Sequence, residues 1–197
     1  MSNLLYYERN LPHRLPPGSD LFLTFRLADS LPAATIARLR AQFNAGENLL
    51  PEASYAAQRR YFGRFDQLLD KAAHGATWLR NPDIAKVVGD SLRHFNPKAY
   101  QLHCYCIMPN HVHMVVSLED GAPLLAETLQ RIKGYTALQA NKILGRSGQF
   151  WQRETYDHIV RSGDEMQRII AYVLNNPVKA CLVESWEQWP HTYYSEV

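Results

Sequence analysis

Short apolar runs divide this 197-residue chain and predict its β-strands. Each run is rich in aromatic and branched side chains, which are typical of strands buried in a sheet. The runs occupy residues 21–28, 99–108, 111–118 and 150–161. Pro109 and Asn110 separate the second run from the third and are typical turn residues, so these two runs are predicted to form an antiparallel hairpin.

Apolar positions with helical spacing lie between and after these runs. Pro32 and Asn81 mark the starts of two predicted helices, and Ser162 begins the last one, which Pro177 ends. The predicted helices cover residues 34–44, 54–72, 81–95, 123–145 and 165–175.

This order of elements predicts a single α+β domain over residues 1–197. The order is the βαββαβ pattern of ferredoxin-like folds, in which an antiparallel sheet carries helices on one face. The final helix is appended to that pattern at its C-terminal end. The stretch at about 45–80 is longer than a simple crossover needs, so it is predicted to be a helical insertion.

The composition is that of an ordinary globular protein, with 46% hydrophobic and 20% charged residues, which excludes disordered and collagen-like classes. No apolar run is long enough to span a membrane and the chain starts without a signal-peptide pattern, so the sequence predicts a cytoplasmic protein with no membrane partner. The three cysteines, Cys104, Cys106 and Cys181, are expected to be free thiols.

Positive charge is concentrated in one part of the chain. The whole chain has a formal charge of only +2, whereas residues 128–181 contain eight basic and four acidic residues. Such clustering is typical of nucleic-acid binding, although a solvated helix face would have the same appearance. The candidate DNA-binding residues are Arg131, Lys133, Lys142, Arg146, Arg153, Arg161 and Lys179. Arg131, Lys142 and Arg146 are expected to share one side of a helix.

The run at 111–118 has one wholly apolar face, and its two histidines lie on the other. His111 and His113 are therefore predicted to point away from the apolar core. Two imidazoles at this spacing can hold one divalent ion, but a hydrogen-bonded pair without metal is the alternative.

Tyr172 lies on the polar flank of the last predicted helix, and Asn176 follows it by one turn. A partly exposed tyrosine followed by a capping asparagine is the alternative interpretation. Tyr135, which follows Lys133 in the sequence KGYT, is a rival nucleophile. Cys104 and Cys106 share a predicted strand face with Leu102 and Met108, which favours a buried apolar role over a zinc site.

Together these motifs resemble a known family. HCYCIMPNHVHMVV, followed by GYTALQANKILGRSGQFWQRETYDHIVR and YVLNNPVKACLV, is similar to the REP-associated tyrosine transposases, relatives of single-tyrosine insertion-sequence transposases in the HUH nuclease superfamily. The resemblance implies that His111, His113 and Asn176 hold a divalent metal, Mg or Mn, and that Tyr172 attacks single-stranded DNA. Asn176 stands where many of these relatives have glutamine.

The resemblance implies a metal-dependent single-stranded DNA endonuclease and strand transferase with a covalent 5′-phosphotyrosine intermediate, acting on hairpin-forming repeat DNA. A phenol has a pKa of about 10, so such a nucleophile needs an electropositive neighbour or a base. The alternatives are a catalytically inactive DNA-binding protein that retains the fold, and a metal-stabilised protein that does not bind nucleic acid. Monomer and homodimer both remain open.

Overall fold

The computed structural model describes residues 18–44, 51–71 and 75–195. Its strands are β1 (Asp20–Leu27), β2 (Gln101–Ile107), β3 (His111–Ser117), β4 (Trp151–Val160) and β5 (Thr192–Tyr194). They form one antiparallel sheet in the order β4-β1-β3-β2-β5. The first four strands in this order form a ferredoxin-like sheet, so the predicted α+β fold is confirmed.

The helices agree with the predicted positions, and two of the predicted caps are formed. Asn81 accepts hydrogen bonds from the backbone N–H groups of Asp83 and Ile84, and Ser162 accepts one from Glu165. Pro177 does not end all helical structure, because a four-residue helix follows the long one. The helices are α1 (Ala33–Asn44), α2 (Pro51–Asp70), α3 (Pro82–His94), α4 (Leu125–Ile143), α5 (Gly163–Leu174) and α6 (Asn176–Lys179).

One face of the sheet carries the larger apolar core beneath α3 and α4. Val112, Met114 and Val116 of β3 are fully buried on this face, as their alternation predicted. Val88 of α3 and Leu129 of α4 belong to the same core. Each such side chain contributes about 1.5–3 kcal/mol when it is removed from water, so this layer supplies much of the stability.

The opposite face carries a second, smaller core beneath α2 and α5. The ring of Phe22 in β1 lies 5.5 Å from that of Phe62 in α2 and 6.1 Å from that of Tyr172 in α5. His111 and His113 point to this face and are fully buried. The histidines therefore point away from the larger core as predicted, but they lie inside a second helical layer rather than at the surface.

Strand β2 contains a register shift that sequence alternation missed. The shift lies between Leu102 and Cys104, and it puts Leu102 in the larger core and Cys104 in the smaller one. An extra residue at a bulge exchanges the faces of the side chains that follow it. Cys104 and Cys106 are buried, and burial raises the pKa of both thiols to about 12, in agreement with their apolar role.

Strand β5 pairs antiparallel with β2 and was not predicted, because three residues are too short a run for a periodicity signal.

The structure describes only part of the predicted insertion at 45–80. Residues 45–50 and 72–74 of this stretch lie outside the described residues. Within the described ranges, no helix is both long enough and apolar enough to cross a bilayer.

Candidate active site

The candidate site lies between the second face of the sheet and the helices α2 and α5. Strand β3 provides His111 and His113, and α2 provides Asp66 and Asp70. One ligand atom from each of these four side chains lies within 4.8 Å of those of the other three. Tyr172 enters from α5. Three elements that are distant in the sequence therefore converge on one buried cluster.

The two imidazoles face each other, with their Nε2 atoms 3.0 Å apart. Their other ring nitrogens are held by neighbouring side chains: His111 Nδ1 lies 2.6 Å from Asn110 Oδ1, and His113 Nδ1 lies 2.7 Å from Thr24 Oγ1. Asn110 Nδ2 donates to the Leu69 carbonyl, so its Oδ1 must accept from His111 Nδ1–H. His111 Nε2 then carries the lone pair of this ring, which faces His113 Nε2 here and would bind a metal ion.

The two carboxylates reach the same space from α2. Asp66 Oδ1 lies 3.3 Å from His113 Nε2 and 4.0 Å from His111 Nε2, while Asp70 Oδ1 lies 3.7 Å from His111 Nε2. Because residues four apart on a helix lie on one side, Asp66 and Asp70 point in the same direction. Neither aspartate was among the predicted site residues, although an aspartate within an otherwise apolar helix stripe was an available signal.

Burial determines the protonation of these groups. It lowers the pKa of His111 to about 3, with His113 contributing, so His111 is neutral. Burial would raise the pKa of Asp66, but His113, His111 and Lys179 together outweigh burial and lower the pKa below its usual value. For Asp70, burial and then the charge of Asp66 raise the pKa to about 7. The cluster thus contains at least one neutral imidazole, His111, and one carboxylate, Asp66.

Several buried polar atoms, of this cluster and of Asn176, have no hydrogen-bond partner among the residues that the structure describes. They are Asp66 Oδ1, Asp70 Oδ1 and both amide atoms of Asn176. An unsatisfied buried polar group costs about 1–3 kcal/mol, so such atoms require an explanation such as an ion. Imidazole nitrogens together with carboxylate and amide oxygens are a suitable donor set for a divalent cation.

Tyr172 connects the helical layer to the cluster through its hydroxyl group. The hydroxyl donates a hydrogen bond to Asp66 Oδ2, and the tyrosine ring lies 5.8 Å from that of His113. Lys179 Nζ lies 3.7 Å from the centroid of the tyrosine ring. A proton acceptor and a cation therefore both contact the predicted nucleophile, which is the environment that an attacking phenol needs.

Asn176, the third predicted ligand, and Tyr135, the rival nucleophile, lie in different parts of the fold. Asn176 is fully buried at the start of α6, one turn after Tyr172, with its amide unsatisfied as described above. Tyr135 is 55% exposed on α4, which packs against the opposite face of the sheet. The structure therefore separates Tyr135 from the histidines and favours Tyr172.

Two of the predicted DNA-binding cations, Lys133 and Arg146, form contacts with other residues of the protein. Lys133 Nζ donates to Thr155 Oγ1 at 2.7 Å and also contacts backbone carbonyls at the start of β4. The guanidinium of Arg146 bonds to Asn141 Oδ1 and stacks over Trp78 at 4.0 Å. These internal contacts do not support the predicted DNA contacts. Arg146 also lies beyond the end of α4, so it does not complete a basic stripe with Arg131 and Lys142.

We expect Lys133→Ala to lower the free energy of unfolding by about 1–3 kcal/mol, because it leaves the acceptors at the start of β4 without their donor. Denaturant unfolding measures this change. Lys142→Ala is the matched control on the same helix: it is exposed, so stability should change by less than about 0.5 kcal/mol. A Lys133→Ala variant of parental stability with weaker DNA binding would instead favour a phosphate contact.

Comparisons with known proteins identify the family of this chain. The family model described as IS200-like transposase matches residues 59–176, more than half of the chain. A candidate REP-associated tyrosine transposase of Haemophilus influenzae is 26% identical over 98 residues, which are 45% of this chain and 56% of that protein. The chain thus spans about half the length of the curated relative it matches.

One solved structure has the same fold. A REP-associated tyrosine transposase bound to a REP hairpin superposes with a TM-score of 0.55 and 15% identity, covering 98% of this chain and 82% of that chain. A candidate transposase from Deinococcus radiodurans R1 gives a TM-score of 0.36 and 11% identity, covering 89% of this chain and 98% of that chain. The resemblance found in the sequence is thereby confirmed, and the chain belongs to the IS200-like transposase family.

Proposed function

We propose that this protein cleaves and rejoins single-stranded DNA through a covalent bond between Tyr172 and a 5′ phosphate. One observation carries the proposal: the Tyr172 hydroxyl donates to Asp66, and the other oxygen of that carboxylate lies 3.3 Å from His113 Nε2. A nucleophile, a proton acceptor and a cation-binding cluster are thus joined by direct contacts.

The residues that would hold a divalent metal, Mg or Mn, are His111 and His113 with the oxygens of Asn176, Asp66 and Asp70. Three of these side chains have buried oxygens that lack a hydrogen-bond partner in the described part of the chain, which is why the donor set fits an ion. A bound divalent ion supplies polarisation of the scissile phosphate and stabilises the charge that develops on its oxygens.

In the proposed reaction, Tyr172 Oη forms a bond to phosphorus while the bond from phosphorus to the 3′ oxygen breaks. Asp66 Oδ2 already accepts the hydroxyl hydrogen bond, so it receives the phenol proton, and the departing 3′ oxygen takes a proton from solvent. Lys179, above the tyrosine ring, favours the developing phenolate. The phosphotyrosine keeps the energy of the phosphodiester, so a 3′ hydroxyl reverses the reaction and rejoins strands.

The proposed partner is single-stranded or hairpin-forming repeat DNA. A structural neighbour with the same fold was solved bound to a REP hairpin, which supports this choice. Exposed cations outside the cluster are the proposed phosphate contacts, since phosphates supply most of the affinity in such complexes. They are Arg131, Lys142, Arg153, Arg161 and Lys179.

The test uses a hairpin oligonucleotide with a single-stranded flank, labelled at either end and incubated with Mn²⁺ or with a chelator. We expect a denaturation-resistant protein–DNA adduct that keeps the 3′ label, while the 5′-labelled fragment is released with a 3′ hydroxyl. The chelator should prevent the adduct. Salt-dependent binding without any adduct would favour the inactive DNA-binding protein, and an adduct that keeps the 5′ label would contradict the proposed polarity.

A further inference from the structure

A cavity of about 370 Å³ lies between α1 and α2, away from the cluster of histidines and aspartates. Its lining includes three cations: Arg38 from α1, Arg64 from α2, and Lys71, the residue that follows α2. No acidic side chain lines it among the residues that the structure describes. This cavity is called the basic cleft below.

The basic cleft is formed by matching positions on its two helices. On α1 the lining residues are spaced i, i+3, i+4 and i+7, and on α2 they have the same spacing. Facing helices usually meet through apolar side chains at these positions. Here Leu39 and Leu68 are the apolar members, while Thr35, Gln42 and Gln67 add hydroxyl and amide groups. The surface is therefore polar and cationic where packing would favour apolar residues.

The three cations share one concave space, which concentrates positive potential there. Three like charges in a cleft repel one another, and an anion that enters offsets this repulsion. Arginine guanidinium groups suit phosphate oxygens because they donate two parallel hydrogen bonds. Amide and hydroxyl groups beside them can contact a sugar. These features match a chain of phosphates better than a single small anion.

Helix α2 connects the basic cleft to the candidate active site. Arg64 and Lys71 lie on the side of α2 that faces α1, whereas Asp66 and Asp70 lie on the opposite side, which faces His113. The two surfaces are separated by about one helix diameter, on the order of 10 Å. An anion held in the cleft thus lies close to the helix that supplies the site with its carboxylates.

We infer that the basic cleft binds the phosphate backbone of the single DNA strand that continues from the cleavage position. This inference rests on the proposed function and gives the predicted insertion, to which α2 belongs, a role in holding substrate. Contacts of this kind are made to phosphates and are independent of base sequence.

The test compares the parent with the triple variant Arg38→Ala, Arg64→Ala, Lys71→Ala. A matched control removes the same charge from exposed positions near α3, on the other side of the sheet: Arg80→Ala, Lys86→Ala, Lys98→Ala. Affinity for a labelled oligothymidylate is measured over a series of salt concentrations. The cleft variant should bind on the order of tenfold or more weakly at low salt, and its slope of log affinity against log salt should be shallower by about 2.

The charge-retaining double variant Arg38→Lys, Arg64→Lys should keep most of the affinity and the parental slope. Equal affinity and slope in the cleft and control triple variants would overturn the inference. So would a parent that binds oligoglutamate but not oligothymidylate, since the cleft would then suit an acidic peptide. Failure of the proposed function is a separate result: the parent would form no Tyr172-dependent adduct, while its DNA affinity would still depend on the cleft.

Discussion

Tyr172→Phe is expected to abolish the covalent protein–DNA adduct and to reduce cleavage by a factor on the order of 10³ or more. The phenylalanine keeps the ring contacts with Phe22 and Lys179 but lacks the oxygen that would bond to phosphorus. Stability should change by only about 1–2 kcal/mol, because the change removes one hydrogen bond to Asp66. Denaturing gels with labelled oligonucleotide measure the adduct, and thermal unfolding verifies the fold.

Tyr135→Phe is the matched control for this experiment. Tyr135 is 55% exposed on α4, and that helix covers the sheet face opposite the histidines. The control should keep the parental amount of adduct. If Tyr172→Phe still forms the adduct while Tyr135→Phe loses it, the nucleophile has been assigned to the wrong tyrosine.

The second large effect concerns metal and the buried carboxylates. Saturation with Mn²⁺ at about one hundred times its dissociation constant should stabilise the parent by roughly 2.7 kcal/mol. For a chain of this size, that stabilisation corresponds to a rise in Tm of roughly 5–10 °C. Asp70→Asn should reduce the rise because an amide oxygen is a weaker ligand than a carboxylate. An unchanged Tm of the parent on adding Mn²⁺ would contradict the proposed metal site.

Without metal, Asp70→Asn should make the folded protein more stable than the parent. The pKa of Asp70 is raised to about 7 in the folded protein, from 3.8, so the folded state holds this proton more tightly than the unfolded chain. Ionisation of Asp70 therefore costs stability, and this cost grows from about pH 4 and is complete above about pH 7. In chelator at pH 8, Asp70→Asn should be more stable than the parent by up to about 4 kcal/mol, whereas at low pH the two should converge.

Asp90→Asn provides the control for both measurements. Asp90 is an exposed carboxylate that pairs with Lys86 and Arg93 on α3, remote from the cluster. Its loss should change stability by less than about 1 kcal/mol and should leave the response to Mn²⁺ unchanged. If the stability of Asp70→Asn in chelator equals that of the parent at every pH, Asp70 is not a destabilising buried charge.

Local sequence signals predicted most of the fold, because they depend on near neighbours in the chain. Periodicity located β1 to β4 and the long helices, and the capping residues Asn81 and Ser162 were identified by type and position. Strict alternation failed at Leu102, where an extra residue reverses the faces. No sequence rule marks where a bulge is inserted when both faces of a strand are apolar.

Some residues of the candidate site could likewise be predicted from the sequence, whereas others were found only in the fold. The spacing of His111 and His113 allowed either a metal site or a hydrogen-bonded pair, and the roles of these histidines and of Tyr172 were predicted from the family resemblance. That Asp66 and Asp70 join the histidines became visible only in the fold, because α2 ends more than forty residues before β3 begins.

The fate of the predicted cations was also decided by tertiary contacts. A sequence shows where basic residues lie along the chain, but whether they can bind DNA depends on their contacts in the fold. Lys133 donates to acceptors at the start of β4, and Arg146 contacts Trp78 and Asn141. Local pattern was therefore enough to predict the elements and to single out the histidine pair and the tyrosine as candidates. Which side chains share a buried space was decided by tertiary packing, since that depends on the distance between elements rather than on local pattern.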